Sequence, residues 1–296
     1  MYDLIIVGGG PAGMTAAIYA ARYKLNVILI SESLGGAIVN SHKVENWPGI
    51  KSISGMELMQ NFEEHVKNFN VEILEQNVVD IKKDKKEFTV LTSKNKNIHG
   101  RSIILASGTQ KRKSGIKNED KFFRKGISYC YTCDAPMYKD KTVAVIGGGN
   151  SACIAALLLT KYCPKVYMIP RSKLRGDNHN IGLVRKNKKI EIIEDKLIDE
   201  INGKNSVEEI ILSDGRKLKI QGLFVEIGSV PSTALAKELK VKLDEKEYVI
   251  VDDQMKTNID GVFAAGDITN GKLKQIITAA AQGAIAANSV FNYLRN

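Results

Sequence analysis

The 296-residue sequence lacks several features that would assign it to a specialised class of protein. No stretch approaches the roughly 18 consecutive apolar residues of a membrane-spanning helix, so we expect no transmembrane segment. Met1 leads almost directly into an apolar segment, without the basic start and long apolar run of a signal peptide. Cysteine is scarce, at 4 residues, which argues against a secreted disulfide scaffold. A cytoplasmic location is therefore the expectation.

The sequence also lacks the ligand spacing of a metal centre. A structural zinc site normally takes four nitrogen or sulfur ligands, usually as two closely spaced pairs. Cys153 and Cys163 lie ten positions apart, and the 4 histidines form no short-spaced pair. We expect no bound metal, and we expect these two cysteines to be buried thiols that pack as small apolar side chains.

Acidic residues are fewer than basic ones, and the net charge is +10. Lysine and arginine are spread along the chain, with local clusters at 82–86, 111–113 and 185–189. Most of this charge is typical of a solvated surface, and no nucleic-acid-binding motif accompanies it. We expect no nucleic-acid partner, whereas a basic surface would steer an acidic protein towards the chain.

What the sequence does contain is a pair of cysteines separated by two residues, Cys130 and Cys133, followed at once by Asp134. Such a pair can close a disulfide across one turn, and a helix N-terminus lowers the pKa of a thiol placed there. Asp134 is near enough to exchange a proton with either sulfur. Half of a zinc site and chance spacing are the alternatives, but the surrounding motifs favour a redox dithiol.

A glycine motif near the N-terminus indicates a nucleotide-binding turn. An apolar strand at 2–7 leads into Gly8, Gly10 and Gly13, which have the G-x-G-x-x-G spacing, and a helical segment follows. Such a turn brings the backbone and the free N–H groups of a helix N-terminus to a pyrophosphate. A second strand at 26–30 ends near Glu32, where an acidic side chain would reach a ribose hydroxyl.

The same pattern recurs about 140 residues later, where the strand 142–146 precedes Gly147, Gly149 and Ala152 in G-x-G-x-x-A spacing. Near the C-terminus, an apolar strand leads into Gly266 and Asp267, and a helix is expected over about 275–294. The short apolar runs at 71–74, 78–81 and 88–91 suit an antiparallel insertion. We therefore predict an α/β protein with two Rossmann-like, three-layer ββα dinucleotide-binding domains. The second, at 111–231, is inserted into the first, at 1–110 and 232–296.

Two glycine fingerprints with Cys130-x-x-Cys133-Asp134 between them resemble the low-molecular-weight thioredoxin reductases, which are FAD flavoproteins, over nearly the whole chain. The resemblance implies that Cys133 faces the flavin, that Cys130 attacks thioredoxin or a thioredoxin-like protein, and that Asp134 carries a proton. It also implies a homodimer and a rotation of the second domain about hinges near 109–113 and 228–232. The FAD-binding residues that it implies are Gly8, Gly10, Pro11, Ala12, Gly13, Glu32, Gly36, Asn46, Val79, Ser107, Gly108, Gly266, Asp267, Lys274, Gln275 and Ile276.

The electron donor is the point at which the sequence departs from this family. The weak second nucleotide site would comprise Gly147, Gly149, Asn150, Ser151, Arg171 and Arg175. NADPH-dependent relatives have a His-Arg-Arg-x-x-x-Arg cluster, whereas Ser172 here interrupts the adjacent arginines and the spacing is shorter. Because paired arginines grip a 2′-phosphate with forked hydrogen bonds, we expect NADPH to be a poor donor.

Other functions remain open at this stage. A thioredoxin reductase fed by ferredoxin or by a reduced deazaflavin would suit both the interrupted arginine cluster and the basic surface. Relatives that serve a peroxidase usually carry an additional N-terminal thiol domain, and we expect this chain not to be one of them. A flavin-binding redox sensor without turnover belongs to a different class, and turnover with a thioredoxin would discriminate it from an enzyme.

Overall fold

A computed structural model describes residues 1–41 and 44–295 of the chain. The chain divides into two compact units, which are described separately below. Unit 1 comprises Met1–Gln110 together with the chain from Val230 onward, and unit 2 comprises Lys111–Ser229. The chain passes from unit 2 back to unit 1 between Ser229 and Val230, whereas the sequence-based boundary lies between residues 231 and 232.

The regular elements alternate between strands and helices over most of the chain. The strands are β1 (Leu4–Gly9), β2 (Val27–Leu34), β3 (Glu72–Glu75), β4 (Val78–Asp84), β5 (Glu87–Thr92), β6 (Asn97–Gly100), β7 (Ile103–Leu105), β8 (Thr109–Lys111), β9 (Ile127–Ser128), β10 (Thr142–Ile146), β11 (Lys165–Ile169), β12 (Ile190–Ile192), β13 (Ile198–Asn202), β14 (Glu209–Leu212), β15 (Lys217–Lys219), β16 (Gly222–Val225), β17 (Ser229–Pro231) and β18 (Val262–Ala264). The helices are α1 (Pro11–Arg22), α2 (Gly55–Asn68), α3 (Glu119–Phe122), α4 (Tyr131–Asp134), α5 (Asn150–Leu159), α6 (Asn178–Lys186), α7 (Ala234–Glu238) and α8 (Ile276–Arg295).

Unit 1 is built on a parallel sheet with the strand order β18-β7-β1-β2-β3. Residues 4–7 of β1 and 27–30 of β2 are continuous apolar runs because these residues are buried on both faces of the sheet. Helices α1 and α8 pack closely on one another, since a Cβ added at Gly283 of α8 would lie 2.1 Å from the Ala12 carbonyl oxygen. The carboxyl ends of β1, β2, β7 and β18 meet at one edge, where ligands of such sheets bind.

The expectation that 71–74 belongs to an antiparallel insertion is wrong. β3 pairs parallel with β2 as the edge strand of the main sheet, and only β4, β5 and β6 form the antiparallel meander. The physical reason is the connection, because α2 precedes β3 and supplies the helical crossover that a parallel strand requires. A short apolar run carries no signal for this choice of partner.

Unit 2 repeats the design with a parallel sheet of order β12-β11-β10-β16-β9, accompanied by an antiparallel sheet of β13, β14 and β15. The predicted α/β class with parallel sheets is confirmed. Cys153 and Cys163 are both fully buried in the apolar cluster of unit 2 that contains α5, as expected. Of the helices that the structure describes, none combines the length and the apolar character needed to cross a bilayer.

Within each unit, hydrogen bonds join the two segments at which the chain crosses to or from the other unit. In unit 2, the Arg112 N–H donates to the Gly228 carbonyl oxygen at 3.2 Å. In unit 1, the Ser232 N–H donates to the Gly108 carbonyl oxygen at 3.0 Å, and the Ser107 hydroxyl donates to the Ser232 carbonyl oxygen at 2.9 Å. Each unit therefore has its two crossing segments side by side.

Candidate active site

The glycine turn after β1 is shaped by backbone contacts that exclude any larger residue. Gly8 has a φ of +115°, and a Cβ added there would lie 2.3 Å from the Ala106 carbonyl oxygen and 2.9 Å from the Ser107 nitrogen. A Cβ added at Gly13 would lie 1.8 Å from the Gly8 carbonyl oxygen. Gly8, Gly13 and Ser107 are thus brought together where β1 and β7 end.

The start of α1 faces a slot lined by glycine backbone. Gly10 is the N-cap without a side-chain hydrogen bond, Pro11 is the first helical residue, and the first turn contains no acidic side chain. A Cβ added at Gly10 would find only the Gly36 Cα, at 3.9 Å. The first-turn N–H groups of a helix have no partner within it. The slot therefore suits an anionic group such as a pyrophosphate.

Two further predicted residues lie in strands of unit 1. Glu32 lies near the C-terminal end of β2, at the same edge of the sheet as the glycine turn, and its side chain is exposed. Val79 lies in the meander instead, at the register shift between Val78 and Asp80, and is 46% exposed.

The segment after β18 packs against the glycine turn. Gly266 has a φ of +82°, and a Cβ added there would lie 2.9 Å from the Ala12 Cβ. The Gly266 N–H donates to Gln282 Oε1 at 2.8 Å, and Thr269 Oγ1 donates to the Gly266 carbonyl oxygen at 2.9 Å. The sequence reasoning missed Gln282, whose signal is a polar side chain within the alanine-rich helix α8.

The residues that precede α8 form a second contact within unit 1. The Asn46 side-chain amide donates to Gln275 Oε1 at 3.0 Å, which joins two predicted site residues that are far apart in sequence. Lys274 Nζ donates to the Thr269 carbonyl oxygen and lies 4.4 Å from the centroid of the Tyr248 ring. Burial lowers the pKa of Lys274, and the carboxylates of Asp267 and Asp244 act in the opposite direction. Ile276 is buried at the start of α8.

In unit 2, Cys130 and Cys133 form a closed disulfide with their Cα atoms 5.3 Å apart. Cys130 is the N-cap of the short helix α4, and its carbonyl oxygen accepts from the N–H groups of Cys133 at 3.2 Å and Asp134 at 3.0 Å. Thr132 Oγ1 lies 3.3 Å from Cys130 Sγ. The pair therefore sits where a helix begins, the position at which a thiolate is favoured.

Two residues that the sequence reasoning missed lie around Asp134. The Ser128 hydroxyl donates to Asp134 Oδ2 at 2.7 Å and accepts from the Cys130 N–H at 3.1 Å. Burial, followed by the charges of Asp134 and Cys163, raises the pKa of Tyr138 to about 12, so its phenol stays protonated at neutral pH. For Ser128, the signal would have been a polar residue in an apolar strand two positions before the cysteine.

A buried carboxylate also holds the residue that precedes Cys130. Glu119 accepts from the Ser114 and Gly115 N–H groups at 3.0 and 2.9 Å, and from the Tyr129 hydroxyl. Burial opposes ionisation, but the hydrogen bonds from Tyr129, Ser114 and Gly115 hold the pKa of Glu119 below its usual value. The chain leading into the disulfide is therefore tied to α3.

The second glycine turn is open at its centre. Gly147 has a φ of +133°, and a Cβ added at Gly149 would find no atom within 4 Å. Asn150 Oδ1 accepts from the Asn180 side chain at 2.7 Å, and the Arg175 N–H donates to the Gly148 carbonyl oxygen at 2.7 Å.

The remaining predicted residues of this turn are exposed, namely Ser151, Arg171 and Arg175. Among the described residues, no ion pair involves either arginine. Nor do the described residues contain a cluster of histidine, cysteine and acidic side chains that could hold a metal ion.

Comparisons with known proteins match the whole architecture. The family model described as pyridine nucleotide-disulphide oxidoreductase matches residues 2–283. The thioredoxin reductase of Bacillus subtilis (strain 168) is 35% identical over 302 residues, covering 99% of this chain and 95% of the relative. That of Peptoclostridium acidaminophilum is 37% identical, covering 99% and 97%. The crystal structure of thioredoxin reductase from Streptococcus pyogenes MGAS5005 superposes with a TM-score of 0.93 at 36% identity, covering 100% of this chain and 98% of the other.

Proposed function

The chain belongs to the pyridine nucleotide-disulphide oxidoreductases and, within them, to the thioredoxin reductases, and from that premise we propose how its residues perform the reaction. The substrate is the disulfide of a thioredoxin or a thioredoxin-like protein. The observation that carries the proposal is the closed Cys130–Cys133 disulfide at the start of α4, with Asp134 as the next residue.

We assign FAD to the glycine slot of unit 1, because the residues present there fit it. The backbone of Gly8, Gly10 and Gly13, with Gly36 opposite, leaves room for a pyrophosphate at the start of α1. Glu32 would take the ribose hydroxyls, and the Asn46–Gln275 pair with Asp267 would lie along the rest of the cofactor. When bound, FAD supplies two electrons at a time, which reduce the Cys130–Cys133 disulfide to a dithiol.

The dithiol then reduces the protein substrate by two exchange steps. The Cys130 sulfur attacks the substrate disulfide, and a mixed disulfide forms as one substrate sulfur leaves. The Cys133 sulfur attacks Cys130, which releases the second substrate sulfur and closes the Cys130–Cys133 bond again. Two electrons and two protons pass to the substrate, and Asp134 moves protons between the attacking and leaving sulfurs.

Cysteine variants test this proposal. Cys130→Ser and Cys133→Ser should each abolish thioredoxin reduction while flavin stays bound, because neither residue lies in unit 1. Cys163→Ser, a change to a buried thiol outside the pair, is the control and should retain turnover. Full turnover in either of the first two variants, or a folded protein that takes up no flavin, would overturn the proposal. Wild-type turnover would also exclude a redox sensor that does not cycle.

For the donor, we propose that NADPH is used poorly and that a low-potential donor, such as ferredoxin or a reduced deazaflavin, serves instead. The support is the segment after β11, where Ser172 follows Arg171 in place of a second adjacent arginine, and where Arg171 and Arg175 are both exposed. Anaerobic bleaching of the flavin with NADPH, NADH, reduced ferredoxin and reduced deazaflavin compares the donors directly. Rapid stoichiometric bleaching at micromolar NADPH would return the protein to the NADPH-dependent class. The homodimer and the cytoplasmic location stay predictions.

A further inference from the structure

Ser128 lies between the two groups that the exchange reaction uses. It ends the short strand β9, which pairs parallel with β16 at Phe224, and its residue is only 3% exposed. Its hydroxyl donates to Asp134 Oδ2 at 2.7 Å and accepts from the Cys130 N–H at 3.1 Å. One buried oxygen atom thus binds both the carboxylate and the backbone of the cysteine.

The arrangement matters because it links the Asp134 carboxylate directly to the sheet. Asp134 is the last residue of a four-residue helix and is only partly buried. Ser128, by contrast, belongs to the parallel sheet of unit 2, where β9 pairs with β16. A proton is transferred efficiently only when donor and acceptor are held within hydrogen-bonding reach. A contact between the sheet and the Asp134 carboxylate supplies that constraint.

We propose that Ser128 is a positioning residue for disulfide exchange, which holds the Asp134 carboxylate in a fixed relation to Cys130. This inference rests on the proposed function. In the step concerned, Asp134 takes the proton of the Cys130 thiol as its sulfur bonds to one sulfur of the substrate disulfide. The substrate S–S bond breaks, and Asp134 gives the proton to the sulfur that leaves. Ser128 acts on this step through Asp134, since its hydroxyl binds the Asp134 carboxylate and the Cys130 N–H.

Stoichiometric exchange tests the role without a donor or a thioredoxin. The flavin-loaded protein is reduced with dithiothreitol, freed of reductant under anaerobic conditions, and mixed with bis(2-hydroxyethyl) disulfide. Each chain should release two molecules of 2-mercaptoethanol as Cys130 and Cys133 close. The rate of release is compared for wild type, Ser128→Ala, Asp134→Asn and the double variant. Ser102→Ala is the matched control, because it also removes a buried serine hydroxyl but does so in unit 1, whereas the disulfide lies in unit 2.

If Ser128 acts through Asp134, the two substitutions are coupled. We expect Ser128→Ala to slow release by about tenfold and Asp134→Asn by about a hundredfold, the usual scale of general acid–base catalysis. The double variant should be no slower than Asp134→Asn, because the carboxylate that Ser128 holds is already gone. Ser102→Ala should match wild type. A double variant slower again by about tenfold, or a Ser128→Ala variant as fast as wild type, would overturn the proposal.

A second pair keeps the test decisive if Ser128→Ala does not fold. Threonine and valine are nearly isosteric and both suit a strand, but only threonine keeps the hydroxyl. Ser128→Thr should retain a rate near that of wild type, and Ser128→Val should be about tenfold slower, on the same scale of acid–base catalysis. Equal rates for the two would refute the role of the hydroxyl. A wild-type enzyme that never reduces thioredoxin would refute the proposed function instead, since the exchange assay does not involve thioredoxin.

Discussion

The two glycine turns of this protein share one backbone design. Gly8 and Gly147 open the turns with φ values of +115° and +133°, a region that side chains rarely enter. Gly10 and Gly149 then act as N-caps in the same extended conformation, and neither cap has a side-chain hydrogen bond. Both helices thus begin with unprotected N–H groups.

The chain returns to each turn in the same way. Gly35, after β2, donates its N–H to the Gly9 carbonyl oxygen at 2.8 Å, and Arg175, after β11, does the same to Gly148 at 2.7 Å. The returning segments differ in chemistry, because the first contains two adjacent glycines and the second exposes cationic side chains. Backbone design alone therefore does not decide which ligand a turn accepts.

The surroundings of the two turns carry the difference. Gly13 approaches Gly8 so closely that a Cβ could not fit, and Gly36 stands opposite Gly10. At the equivalent of Gly13 the second turn has Ala152, which already carries a Cβ. The two turns therefore differ most at this third position, where the first brings the helix backbone against the turn and the second holds a methyl group there. Four sets of substitutions test this contrast.

The largest effect is expected where the first turn is tightest. Gly13→Ala places a Cβ 1.8 Å from the Gly8 carbonyl oxygen, so unit 1 must distort, at a cost of about 3 kcal/mol or more. We expect the variant to lose its flavin and to melt earlier, measured by flavin absorbance and thermal unfolding. Ala152→Gly is the converse change in unit 2 and should cost only about 1 kcal/mol with flavin retained. Stoichiometric flavin in Gly13→Ala would break the contrast.

The N-cap glycines separate ligand binding from folding. At Gly10 and Gly149 an added Cβ meets little or no protein, so both alanine variants should fold. Gly10→Ala should weaken FAD binding by about a hundredfold, or about 3 kcal/mol, because the methyl group occupies the phosphate approach. Gly149→Ala should keep full flavin, which equilibrium dialysis would show. Equal flavin affinity in both variants would mean that the cofactor does not use the first slot.

Restoring an arginine should sharpen the second turn. Ser172→Arg rebuilds an adjacent pair with Arg171, and one added charged hydrogen bond to a 2′-phosphate contributes about 1.5–3 kcal/mol. We expect the NADPH concentration for half-maximal flavin bleaching to fall about tenfold or more. Ser172→Ala should leave it unchanged, and NADH should respond to neither variant. An identical gain with NADH would show that the arginine acts on shared parts of the nucleotide.

The last prediction compares the units through the stability of unit 2 at high pH. Burial raises the pKa of the Cys163 thiol from 9.0 to about 11, with Lys189 and Lys141 acting in the opposite direction. Between those values the unfolded chain releases a proton that the folded chain keeps. Stability should therefore fall as pH rises from 9 to 11, by about 2–3 kcal/mol. All the cysteines lie in unit 2, so this loss is specific to it.

Denaturant unfolding at pH 8 and pH 11 would measure this loss. Cys163→Ala should show a shallower decline than wild type, because lysine and tyrosine ionisation is common to both proteins. Identical declines in the two proteins would contradict the assignment of the effect to Cys163.

Features that depend on backbone sterics were predictable from residue types. The spacing of Gly8, Gly10 and Gly13 reflects contacts that only glycine allows, and the apolar runs of β1 and β10 reflect burial on both faces. The cysteine pair was equally readable, because three residues of separation permit a disulfide only across a single turn.

Partner choices across the fold were not predictable in the same way. The pairing of β3 with β2 depends on the crossover through α2, and the Gln282 bond to Gly266 depends on how α8 docks. Ser128 and Asp134 are near in sequence, yet their bond needs β9 in the sheet and α4 turned back towards it. Hydrogen bonds between side chains are selected after packing, and residue type alone does not name the partner.

The closed ends of the two units have a consequence for how such a chain could arise and be altered. Because the first and last segments of unit 2 lie side by side, an entire folded domain can occupy a single surface turn of its host. The host turn, between Gly108 and Ser232, is held by its own hydrogen bonds. If residues 111–229 were removed and the ends joined by a short glycine bridge, the two segments of unit 1 would be connected by an ordinary tight turn. Unit 2 can therefore be inserted or removed as one continuous stretch of coding sequence.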